Sequence, residues 1–92
     1  MAQYVESGTP INTTDAGSGV ISLTAGTLLG FYVNSTSTGT VIVRNGTTSG
    51  GTAVSGTITP AIGWHRFPAY LPAGCFLSLG ATINITAVFA AG

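Results

Sequence analysis

The chain has 92 residues, 45% hydrophobic and only 4% charged, with a formal net charge of zero. Ordinary globular domains carry about 25% charged residues. The four charges here are Glu6, Asp15, Arg44 and Arg66, which exclude the basic surface that nucleic acid requires and leave one acid pair, both in the first fifteen residues, for carboxylate catalysis.

Helix formers with charged faces are missing, and short β-type runs are separated by Gly, Ser, Asn and Pro, so the sequence predicts an all-β fold. Gln3 to Ser7 is a first strand or an arm, and the stretch 1–19, poor in apolar residues after Val5, is a candidate N-terminal docking arm. Gly19 to Thr24 alternates, with Ile21 and Leu23 expected on one face. Thr27 to Asn34 is the clearest strand. Strict alternation sends Leu29, Phe31 and Val33 one way and Leu28, Gly30 and Tyr32 the other. Asn34 to Thr38 is expected as a polar turn. Thr40 to Arg44 then places Val41 and Val43 inward, Ile42 and Arg44 outward.

Asn45-Gly46 is a strong turn signal. Thr52 to Thr59 is expected as a Thr-rich strand with Val54 and Ile58 as its apolar members. Trp64 to Tyr70 is rich in aromatic residues, but Pro68 confines it to an edge. Pro72-Ala73-Gly74 is a turn, and Cys75–Leu79 and Ile83–Phe89 form a final pair. In the last strand Ile83, Ile85, Ala87 and Phe89 share one face. The sum is one domain, 1–92: a compact antiparallel β-sandwich of about eight short strands, of jelly-roll or Greek-key type.

Chemistry is sparse. His65 is the single histidine and Cys75 the single cysteine, too few for a disulfide framework or a four-ligand zinc site. Cys75 sits in an apolar run and reads as a buried small hydrophobe. His65 reads as an edge-strand side chain beside Trp64 and Phe67. The Gly/Ser/Thr-rich segments 35–39 and 47–51 lack the Walker spacing and its lysine. No enzymatic activity, cofactor, metal or small-molecule substrate is expected. No apolar run approaches the ~20 residues of a membrane span, and the N-terminus lacks a leader pattern. The triplets at Asn12, Asn34, Asn45 and Asn84 match the glycosylation pattern but follow from a Thr-rich composition.

Mean hydropathy is +0.53, high for a chain whose solubility cannot rest on charge. Much of the surface is therefore expected to be covered by other protein. The candidate interface residues are Leu28, Tyr32, Ile42, Arg44, Trp64, Arg66 and Tyr70, because aromatic residues and arginine anchor interfaces. Aromatic residues also stack on sugar rings, so a carbohydrate-binding module using Trp64, Tyr70 and the Thr-rich loops is the alternative from another class.

Three stretches carry a family resemblance: Leu29 to Thr36, Gly56 to Ala61, and Gly63-Trp64-His65-Arg66-Phe67-Pro68-Ala69, with the closing Leu79 to Thr86. Across roughly Gly26 to Phe89 the chain resembles small β-sandwich virion proteins of tailed bacteriophages. The resemblance implies a capsid decoration (cement) protein, made in the host cytoplasm and placed on the outer surface of the virion head. Its partners would be the major capsid protein and itself, as a homotrimer. A fibre, tail or head-spike module is the alternative within the same class. No binding residue is carried over, since the family has no fixed functional motif.

Overall fold

A computed structural model describes residues 8–91 of the chain. It is all-β, with six strands: β1 (Thr9–Thr14), β2 (Val20–Ser22), β3 (Gly26–Asn45), β4 (Thr52–Ala53), β5 (Gly63–Leu71) and β6 (Cys75–Ala91). Every pairing is antiparallel, and all six strands belong to one hydrogen-bonded sheet.

Two expected turns are absent because the flanking runs merge. Thr27–Asn34 and Thr40–Arg44 lie in the single strand β3, and Cys75–Leu79 and Ile83–Phe89 in the single strand β6. These long strands pair with each other from Gly26↔Ala91 to Asn45↔Cys75. Twenty extended residues would span about 66 Å at ~3.3 Å each, yet the longest dimension of the molecule is 45 Å. The pair therefore bends. Ser37 and Thr38 both face Thr82, and Thr38 and Ala81 take a φ of 55°, the left-handed region that reverses the local direction of a strand at a cost of roughly 1–2 kcal/mol per non-glycine residue. Gly39 makes the bend possible. A β-carbon there would stand 2.5 Å from Cβ of Ile83.

With the two long strands divided at the bend, the pairing is nested. β1 pairs with the second half of β6 and β2 with its first half. The first half of β3 pairs with β5 and its second half with β4. Outermost segments meet outermost segments, as in a double strand rolled up on itself, the jelly-roll connection. The two halves close on one core. Leu28, Phe31, Val33, Ile85, Ala87 and Phe89 come from one half; Val41, Val43, Cys75 and Leu77 come from the other. The alternation expected for the last strand holds, with Ile83, Ile85, Ala87 and Phe89 all buried.

Several expectations are corrected. Leu28 is not on the outward face but fully buried, at 0% exposure. Against β6, a register shift between Leu28 and Gly30 makes Leu29 the extra residue of a bulge, so Leu28 and Phe31 point the same way although three residues apart. Leu23 is not in the core with Ile21 but 73% exposed. β2 ends at Ser22, whose hydroxyl accepts from the Thr24 N–H (3.2 Å) and donates to its carbonyl (2.9 Å), turning the chain outward. The expected strand 52–59 is confined to Thr52–Ala53, and Ile58 makes only a bridge to Val41. The candidate strand Gln3–Ser7 lies outside the described residues. The later part of the expected arm is built into the sheet instead: β1 pairs with β6 along its whole length, and the Asp15 carboxylate accepts from the Ile83 N–H at 2.9 Å.

Candidate functional site

β5 is an edge strand that pairs with β3 alone. Its residues alternate with the pleat. Phe67 and Ala69 pack against the core, whereas Trp64, Arg66, Pro68 and Tyr70 face outward. His65 also turns in: its ring stacks on Phe31 at 5.5 Å between centroids, and its Nε2–H donates to the Ala61 carbonyl at 2.7 Å. That bond ties down the chain leading into β5.

Of the expected interface residues, the structure brings Tyr32, Trp64, Arg66 and Tyr70 to one outward face and separates the rest from them. Leu28 is core. Ile42 and Arg44 lie in the other half of β3, both half-buried. Arg44 is occupied: its Nε donates to the Ser78 hydroxyl (2.7 Å) and Nη1 to the Gly51 carbonyl (3.1 Å), so it holds the loop after β3.

On the outward face the register aligns four residues in a straight row across four strands. Asn12 of β1 faces Thr86 of β6, Thr86 faces Tyr32 of β3, and Tyr32 faces Trp64 of β5. Three strand spacings of about 4.8 Å make the row about 14 Å long. Trp64 is 46% exposed because one side of its ring lies over Gly30. A β-carbon at Gly30 would sit 2.8 Å from the ring atom Cζ2.

Beside the aromatic pair is a closed set of amides. Asn12 Nδ2 donates to Asn84 Oδ1 (2.8 Å), to Thr86 Oγ1 (3.2 Å) and to the Ile85 carbonyl (3.1 Å). From the other side Asn34 Nδ2 donates to the same two acceptors, at 3.0 and 2.9 Å. Asn84 and Thr86 thus each accept twice, and their rotamers are fixed. The sequence reading noted Asn12, Asn34 and Asn84 only as glycosylation-like triplets. Their convergence is a register property, with sequence separations of 72 and 50 residues.

A second feature is one end of the roll. Gly26, Leu71 and Ala91 are level in the pairing register, and Thr9 lies two residues along, opposite Phe89, so both ends of the described chain lie near this end. Tyr70 (61% exposed), Pro72 and Ala73 flank Leu71 in the chain, and the exposed Leu23 lies three residues before Gly26. A third is a cleft of about 210 Å³ lined by Asp15, Ser18, Ser49, Phe76, Ser78 and Leu79. Asp15 and Ser78 already serve the Ile83 N–H and Arg44 there.

Cys75 is fully buried, and burial pushes its thiol up to about 12. A thiol held in the protonated form is a poor nucleophile. In the register Cys75 faces Ser22 and Asn45 whereas His65 faces Phe31, so the two are not brought together as a pair. Among the described residues no group of three His, Cys, Asp or Glu is placed to hold a metal ion, and no helix is long and apolar enough to cross a membrane. No family model, curated protein or solved structure matches the chain in comparisons with known proteins.

Proposed function

We propose that the chain is a non-catalytic structural protein of the virion, a decoration (cement) protein that bridges major capsid subunits on the outside of a phage head as a homotrimer. The observation that carries this reading is a surface almost without charge that keeps large apolar side chains in the open, Leu23, Ile62 and Tyr70 among them. Burying unpaired charge is the costly part of forming a joint. Hydroxyls, glycine and scattered apolar residues desolvate cheaply by comparison.

The end of the roll with Leu23, Tyr70, Pro72 and Ala73 is the docking surface in this proposal. A small joint of this kind is weak alone, and repetition over a shell makes it effective. The resemblance of Gly26–Phe89 to small β-sandwich virion proteins supports the same reading.

Quantifying the protein in purified virions tests it. Copy numbers comparable to those of capsomers are expected on the head. A few copies per particle, or a position on the tail, would replace cement by a fibre or tail component. The double variant Leu23→Ser, Tyr70→Ser is expected to remain folded and to lose head binding.

A further inference from the structure

The row across β1, β6, β3 and β5 is a second surface, on a face of the sheet and away from the docking end. From Gly26 to Val33, which faces Gly63, is about 23 Å along β3 at ~3.3 Å per residue. The row has three properties that together specify a ligand class. It is continuous across four strands, because its members are opposite neighbours on one sheet face. Its polar members are pre-set: once Asn12 and Asn34 have donated inward, the outward groups left are Asn12 Oδ1, Asn34 Oδ1, Asn84 Nδ2 and the Thr86 hydroxyl hydrogen. Finally, the Trp64 ring packs against Gly30 through Cζ2 and Cη2 and stays 46% exposed, and Tyr32 stands opposite it.

We infer that this row is a binding platform for a neutral glycan, with a pyranose ring stacked on Trp64 and Tyr32 and the next ring's hydroxyls bonded to the Asn12, Asn34, Asn84 and Thr86 cluster. The four row members and the two amides flanking them carry no charge and offer partners for hydroxyls, with Arg66, two residues from Trp64 on the same face of β5, as the one charge beside them. Two acceptors and two donors are left on this cluster, a mixed set that sugar hydroxyls satisfy because each both donates and accepts. Aromatic side chains offer an apolar face with polar edges, which suits the C–H face of a sugar ring. Small ligands need concave pockets to bury most of their surface. An open row of about 14 Å across four strands instead fits two or three rings of a chain that continues past both ends. Locked rotamers lower the ordering cost, while one-sided burial keeps each contact weak. Many copies on one particle would convert weak contacts into retention on a glycan surface. The inference stands independently of the capsid reading, since it concerns the isolated chain.

Trp64 is the single tryptophan, so its fluorescence reports the site directly. The purified protein is titrated with cellohexaose, maltohexaose and chitohexaose, with side-chain amide shifts of the asparagines followed by NMR. At least one of the three is expected to shift both Trp64 emission and the Asn84 amide with a dissociation constant of about 1–10 mM. Trp64→Ala and Asn12→Ala are each expected to weaken binding at least about five-fold, and Tyr70→Ala to leave it unchanged. Asn12 is an exposed side chain of an edge strand, so its variant keeps the test valid if Trp64→Ala fails to fold. No shift with any of the three sugars would overturn the inference. So would binding that both variants retain. Emission that changes with protein concentration alone would show a second copy covering the face, and would overturn it too.

Discussion

Leu28 shows how a single residue's place is decided. Strict alternation puts it opposite Phe31, on the outward face. The bulge at Leu29 adds one residue to the strand, and every side chain before the bulge changes face relative to those after it. The consequence is measurable. Leu28→Ala should cost about 3–4 kcal/mol of stability, the range for deleting a buried leucine, whereas an outward leucine would cost under about 0.5 kcal/mol. Denaturant unfolding distinguishes the two. Cys75 makes a second case. Burial disfavours the thiolate and pushes its pKa up to about 12 in the folded chain, from an ordinary value of 9.0. Below pH 9 both states hold the proton and the thiol contributes no pH dependence. Above it the unfolded chain loses the proton first, so stability falls as pH rises from about 9 towards 12. Cys75→Ala should remove that part of the alkaline slope in thermal melts. In the native protein at pH 8 the thiol should resist iodoacetamide, and react once unfolded.

At the level of elements, β5 was legible in the sequence and β3 was not. Pro68 marks β5 as an edge, and the strand does pair on one side only. It sits where β3 bulges: Leu28 faces Ala69 and Gly30 faces Arg66, so Phe67 and Pro68 oppose the extra Leu29. Pro68→Thr should therefore shift stability by less than about 1 kcal/mol, yet raise self-association, because proline on an edge blocks the addition of further strands. Light scattering after incubation checks the second part; an unchanged monomer fraction would show that the edge is protected by other means. The inward faces of β6 and of the second half of β3 were also legible, since alternation is a local signal. The segment 34–38 was not, because its polar residues read as a turn. Thr36, Ser37 and Thr38 stay paired with β6 because the chain bends within the ladder instead of leaving it. The row Asn12–Thr86–Tyr32–Trp64 had no local signal at all. It depends on which strands are neighbours, and nested pairing sets Asn12 opposite Thr86, 74 positions away.

The whole molecule is a rolled sheet with one core, and its surface chemistry is uniform: hydroxyls, amides, glycine and isolated apolar chains, with the described charges reduced to Asp15, Arg44 and Arg66. Of these, Asp15 and Arg44 are engaged inside the fold. Assembly by such a surface should carry almost no electrostatic component. A joint made of charge pairs weakens as salt rises, because the screening length falls from about 30 Å at 0.01 M to about 3 Å at 1 M. A joint made by apolar and hydroxyl burial does not, and sulfate strengthens it by favouring burial. Binding to heads should therefore change less than about three-fold between ~0.05 and ~1 M sodium chloride, and tighten in ammonium sulfate. The measurement is the fraction of protein retained on sedimented heads at each salt. Loss of binding by a factor of ten or more at ~1 M salt would mean that charge supplies the joint. The end formed by Leu23 and Tyr70, whose side chains carry no charge, would then not be the docking surface.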